Sequence, residues 1–122
     1  MKIIVVEDEP ILLSVISLIL RREGFEVIEC TNGFQAMKDI VLHNPDMVIT
    51  DIMMPGESGF KVIAFIRERL KWRTPIIVIS CLENETNILK GFDFGVDEYI
   101  TKPFSLPEMV IRVNKLFKCK KG

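Results

Sequence analysis

Five short segments rich in valine and isoleucine, separated by stretches whose apolar residues recur at helical spacing, leave this chain few ways to fold. The segments are Lys2–Val6, Phe25–Glu29, Asp46–Asp51, Pro75–Ser80 and Val96–Thr101. The first, third and fourth are nearly continuous apolar runs, as expected of strands whose sheet is covered on both faces. Between them the spacing predicts buried helical stripes: Ile11, Leu12, Val15, Ile16 and Ile19; Ala36, Met37, Ile40 and Val41; Ile63, Ile66 and Leu70; Ile88, Leu89 and Phe92; and Leu106, Met109, Val110, Val113, Leu116 and Phe117. Pro10 suits a first helical position, Gly24 a helix end, and Asn84 with Glu85 an N-terminal cap. Strands alternating with helices call for parallel pairing through right-handed crossovers, hence a single doubly wound α/β sheet with helices on both sides.

At 122 residues the chain has the size of one domain. Its 16 basic and 17 acidic side chains leave a net charge of −1. That balance argues against a nucleic-acid surface, which needs a basic excess, and gives no pull toward anionic membranes. No apolar run approaches the roughly 20 residues that cross a bilayer. The N-terminus lacks the basic-then-apolar layout of a secretory signal. Cys30, Cys81 and Cys119 are odd in number and without C-x-x-C spacing, which points to neither a disulfide framework nor a zinc site and fits the cytoplasm.

In open α/β sheets ligands bind at the carboxyl ends of the strands. Here those ends carry Glu7, Asp8 and Glu9 after the first strand, Asp51 after the third, Ser80 at the fourth, and Thr101, Lys102 and Pro103 after the fifth. A phosphate-cradling loop would need Gly, Ser or Thr after the first strand, and acids there repel an anion. Clustered carboxylates suit a hard divalent cation instead, and Mg²⁺ takes one or two of them together with waters and a substrate phosphate. An acidic helix start would by itself account for Glu7 to Glu9. It leaves Asp51, a charge ending an apolar strand, without a partner. Lys102 lies two strands from Asp51, within reach to offset charge on a phosphoryl oxygen, and Ser80 lies one strand nearer.

Taken together, V-V-E-D-E-P, D-I-M-M-P-G-x-S-G, V-I-S-C and D-E-Y-I-T-K-P-F resemble, in order and along the whole chain, the receiver domain of bacterial two-component response regulators, chemotaxis regulators included. The resemblance implies a flavodoxin-like (βα)5 fold with strand order 2-1-3-4-5, a receiver domain over residues 1–118 and a tail or linker start over 119–122. It implies that Asp51 accepts the phosphoryl group. Asp8 and Asp51 would be direct Mg²⁺ ligands, Glu7 would act mainly through water, and the backbone carbonyl of Met53 would be the third protein ligand. Ser80 would be the switch hydroxyl, Tyr99 the aromatic that turns inward on phosphorylation, Lys102 the charge-stabilising lysine, and the Lys102–Pro103 bond cis.

The implied partner is a sensor histidine kinase or a phosphotransfer protein, and the implied role a phosphorylation-controlled switch rather than a turnover enzyme. Its output face would comprise the fourth helix, fifth strand and fifth helix. There Asp97, Glu98, Glu108 and Arg112 resemble charges that pair across a phosphorylation-promoted homodimer. Two other readings remain, a phosphorylation-independent interaction module and a Mg²⁺-dependent phosphohydrolase. The first would lack Asp51, Lys102 or the acid pair, and the second normally shows D-x-D, whereas Ile52 and Met53 follow Asp51. Departures from the usual pattern are Glu7 in place of aspartate and Cys81 after the switch hydroxyl, expected as a buried packing thiol. His43, the sole histidine, fits a helix end.

Overall fold

A computed structural model describes residues 1–52, 59–81 and 93–121, the last three by backbone alone. Its strands are β1 (Lys2–Val6), β2 (Glu26–Cys30), β3 (Met47–Thr50), β4 (Ile76–Ser80) and β5 (Glu98–Thr101). All pair in parallel in one sheet of order β2-β1-β3-β4-β5, as expected. The helices described are α1 (Pro10–Arg22), α2 (Gly33–His43), α3 (Gly59–Ala64), which continues into a π-helical turn (Phe65–Arg69), and α4 (Leu106–Lys121), the fifth helix counted from the sequence. The helix expected around Ile88, Leu89 and Phe92, with its cap at Asn84 and Glu85, lies outside the described residues.

Alternate strand residues feed two cores. Ile4, Val6, Val48, Ile76 and Val78 meet Ala36 and Ile40 of α2 and Val62 and Ile63 of α3. Ile3, Val5, Ile49, Ile77 and Ile79 meet Leu13, Ile16 and Leu20 of α1 and Met109, Val113 and Phe117 of α4. The central strands are thus buried on both faces, which is why they read as unbroken apolar runs.

Boundaries move where a residue at a strand's edge takes another partner. Phe25 belongs to the end of α1, its N–H bonded to the Leu20 carbonyl, so β2 starts at Glu26. Asp46 precedes β3, its carboxylate accepting the Lys2 N–H at 2.8 Å. The larger correction is the rotation of α1. Leu13, Ile16, Ser17 and Leu20 face the core, while Ile11 is 82% exposed and Val15 36%. This helix is apolar almost all round, so periodicity alone does not fix its buried stripe. Val41 likewise sits outside, on the exposed side of α2. Pro10 does open α1, and His43 occupies the last turn of α2.

Candidate functional site

The ladders of β1, β3 and β5 run one residue past their regular ends, and those residues form the site. Glu7 N–H bonds the Cys30 carbonyl at 3.0 Å, Asp51 N–H the Val6 carbonyl at 3.1 Å, and Lys102 N–H the Ser80 carbonyl at 2.9 Å. Parallel register therefore levels Glu7, Asp51 and Lys102 along the carboxyl edge of β1, β3 and β5, although 95 residues separate the first from the last. Lys102 Nζ donates to Glu7 Oε1 at 3.0 Å and to Asp51 Oδ2 at 2.8 Å. The two carboxylate side chains are 2% and 4% exposed, which makes the lysine a required counter-ion. Asp8 is half-buried beside them, and one carboxylate oxygen from each of Glu7, Asp8 and Asp51 lies within 4.8 Å of the others.

Burial pushes the Glu7 carboxyl above its ordinary value, outweighing the downward pull of Lys102 and of the Glu9 N–H. Burial also disfavours the Lys102 ammonium, yet its bonds to Asp51 and Glu7 more than reverse that, and its pKa is raised. The site therefore holds a fixed positive charge against a larger negative one. Three clustered hard oxygen donors, two of them on buried residues, fit a small divalent cation.

Ser80 ends β4 fully buried. Its side chain hydrogen-bonds the hydroxyl of Tyr99, whose ring packs in the core shared with α2 and α3. Burial raises the Tyr99 pKa, with Ser80 pulling it down and the charges of Asp51 and Cys81 adding to the rise. Tyr99, expected to turn inward on phosphorylation, is already 9% exposed. The Lys102–Pro103 bond is cis. Met53 lies outside the described residues.

Cys81 is exposed, contrary to the buried packing thiol expected from the sequence, because β4 ends at Ser80 and its successor leaves the sheet. The charges noted at the start of β5 and on α4 are paired within the chain. Arg112 bonds both Glu98 and Glu108, and Asp97 bonds Arg67. One residue of the site had no assigned role. A Cβ on Gly59 would stand 2.0 Å from the Asp51 carbonyl oxygen and 2.7 Å from the Ile52 Cα, so only glycine lets α3 begin against the backbone of Asp51. Its place as the last glycine of D-I-M-M-P-G-x-S-G was the available signal.

Comparison with known proteins agrees with this geometry. The response regulator receiver domain family matches residues 3–114. The transcriptional regulatory protein ResD of Bacillus subtilis (strain 168) is 40% identical over 117 residues, which are 96% of this chain and 48% of that protein. This chain thus spans about half the length of that relative. Among solved structures, the receiver domain of the Francisella response regulator 1452 is 32% identical with a TM-score of 0.92, covering 98% of each chain. The response regulator TrrA of Thermotoga maritima, solved in complex with Mg²⁺ and BeF, is 36% identical with a TM-score of 0.84, covering 94% of this chain and 97% of its own.

Proposed function

Because this chain belongs to the response regulator receiver family, we propose that Asp51 accepts a phosphoryl group from the phosphohistidine of a sensor histidine kinase or phosphotransfer protein. The observation that carries this reading is the Asp51 carboxylate, 4% exposed, bonded at 2.8 Å to Lys102 and clustered with Asp8 and Glu7. An Asp51 oxygen attacks phosphorus, the bond from phosphorus to the donor nitrogen breaks, and the chain carries an aspartyl phosphate while the donor leaves as a free imidazole. Lys102 stabilises the charge that spreads onto the transferring oxygens. The Ser80 hydroxyl, at the end of β4, donates a hydrogen bond to one of those oxygens. Asp8 and Asp51 would hold Mg²⁺ directly and Glu7 would act through water, with a further ligand from the carbonyl of Met53, which lies outside the described residues. When bound, that cation supplies positive charge at the phosphoryl oxygens.

Ser80 and Tyr99 together form the switch. Drawing Ser80 toward a phosphoryl group alters its bond to Tyr99, and the change passes to the face of the fourth helix, β5 and α4. A phosphorylation-promoted homodimer through that face is the proposed output, within a cytoplasmic receiver of residues 1–118 followed by a tail or linker. A charge near zero fits an output that does not bind nucleic acid or membrane through this domain. The test is Mg²⁺ with acetyl phosphate, read by mass spectrometry. One phosphoryl group should be added, and Asp51→Asn should abolish it; normal labelling of that variant would remove Asp51 as acceptor. Sedimentation of the labelled sample reads the dimer, and an unchanged monomer would remove it.

A further inference from the structure

We propose that Arg21 guards the free edge of β2, keeping that edge closed to strand pairing with a second copy of this chain. The order β2-β1-β3-β4-β5 leaves β2 with a neighbour on one side only. Along an extended strand the N–H and C=O of one residue point to the same side, and the next residue points its own to the other. The Glu26 N–H bonds the Met1 carbonyl and the Cys30 carbonyl accepts the Glu7 N–H, so Glu26, Ile28 and Cys30 face β1. Phe25, Val27, Glu29 and Thr31 therefore face outward. A row of unpaired backbone groups at a sheet edge is a template for another strand.

Both ends of this row are shut from within the chain. The Phe25 N–H bonds the Leu20 carbonyl, and the Thr31 N–H donates to Gln35 Oε1 at 3.2 Å. Between them the guanidinium of Arg21, from the last turn of α1, lies over the edge. One terminal nitrogen donates to the Val27 carbonyl at 3.2 Å and the other to the Glu29 carboxylate at 3.1 Å. Among the described residues no bond closes the Val27 N–H or the N–H and carbonyl of Glu29. The helix dipole asks only for a cation in this turn, which Arg22 also supplies. The ion pair itself, with side chains 51% and 35% exposed, contributes little to stability. What distinguishes Arg21 is the Val27 carbonyl, which a planar fork reaches while still holding the carboxylate. The open part of the row fits itself. With two copies of β2 antiparallel about a two-fold axis at Ile28, Val27 of each would exchange both backbone bonds with Glu29 of the other, a self-complementary pairing that joins two sheets into one. That pairing needs the Val27 carbonyl as an acceptor, and Arg21 occupies it.

The test is the oligomeric state of the full chain without Mg²⁺ or a phosphoryl donor, which separates it from the receiver reading and from a phosphorylation-promoted dimer. Sedimentation velocity should show a monomer for the unmodified chain at low and high concentration. Arg21→Met and Arg21→Ala, which remove the donors from an exposed position, should form a dimer that grows with concentration. In those variants the Val27 and Glu29 amides should exchange with solvent about tenfold more slowly at high than at low concentration, read by NMR. Adding Glu29→Pro removes an outward N–H, leaves the bonds to β1 in place and should return either variant to a monomer. Arg21 variants that stay monomeric, a dimer that persists with Glu29→Pro, or a dimer whose Val27 and Glu29 amides exchange equally fast at both concentrations would overturn the assignment. So would an unmodified chain that already dimerises with those amides protected.

Discussion

At the carboxyl end of the sheet one ammonium, Lys102, faces the carboxylates of Glu7 and Asp51 with Asp8 alongside. At the amino end one guanidinium, Arg67, faces a single carboxylate and two carbonyls. Arg67 Nε donates to the Gly95 carbonyl at 3.0 Å, and its two terminal nitrogens donate to the Trp72 carbonyl at 2.9 Å and to Asp97 at 3.0 Å. The same Asp97 oxygen accepts the Ile76 N–H at 2.8 Å, tying the starts of β4 and β5 to the π-helical turn after α3. Gly95, at φ +94°, lies so close that a Cβ would come within 3.1 Å of Arg67 Nε. Charge is balanced here, and the planar fork of arginine suits several fixed acceptors at once. At the carboxyl end acids outnumber the cation, so that end gains stability from an added positive charge. The clamp is complete by itself, whereas the cluster at the carboxyl end is left short of positive charge.

The largest effect that would sharpen this contrast is the response to Mg²⁺. At a free concentration a hundredfold above its dissociation constant, Mg²⁺ should stabilise the chain by about 2.7 kcal/mol in urea unfolding. Arg67→Met should show the same increment and Asp8→Ala much less; an equal increment in Asp8→Ala would place the cation elsewhere.

Next in size is the clamp itself. Arg67→Met removes the donors to two carbonyls and to a partly exposed carboxylate, and should lower stability by about 2 kcal/mol. Phosphorylation by acetyl phosphate should proceed at its usual rate in the folded variant. A stable variant that no longer takes the phosphoryl group would break the separation of the two ends.

The smallest effect is read at Tyr99, the only tyrosine, which lies on β5 between the two ends. Its phenolate absorbance should rise with a half-point above the ordinary 10.0, because burial holds the neutral form. Ser80→Ala should move that half-point higher, since the Ser80 bond pulls it down, and Arg67→Met should leave it in place. The folded state holds this proton more tightly than the unfolded chain does. The stability it contributes is therefore full below pH 10.0 and is lost as pH rises through the folded value. A half-point at or below 10.0 would contradict the buried, Ser80-bonded ring.

Much of this architecture was legible in the sequence because strand runs and helix stripes are local signals, and because the carboxyl ends of parallel strands must converge. Glu7, Asp8, Asp51, Ser80 and Lys102 all stand at strand ends, so their meeting followed from the fold class. The rotation of α1 was not legible, since Ile11, Leu12, Leu13, Val15, Ile16, Leu18, Ile19 and Leu20 offer apolar residues to nearly every direction. The choice of Leu13, Ile16 and Leu20 belongs to the sheet and to α4, against which they pack. Ser17 comes with that choice, a fully buried hydroxyl whose oxygen has no hydrogen-bond partner among the described residues.

By itself the sequence determined five parallel strands, two covered faces and the identity of the charged groups at the carboxyl edge, because periodicity and residue chemistry are properties of short segments. Only the tertiary structure decided which atoms pair: that Glu7 engages Lys102 and the Glu9 N–H, that Asp97 turns to Arg67, that Arg112 holds Glu98 and Glu108, and that Gly59 lies beneath Asp51. Glu7 and Lys102 are 95 residues apart, as are no partners that a local pattern could specify. The register of a parallel sheet brings them level, and burial then makes the pairing obligatory, since a carboxylate removed from water requires its counter-charge.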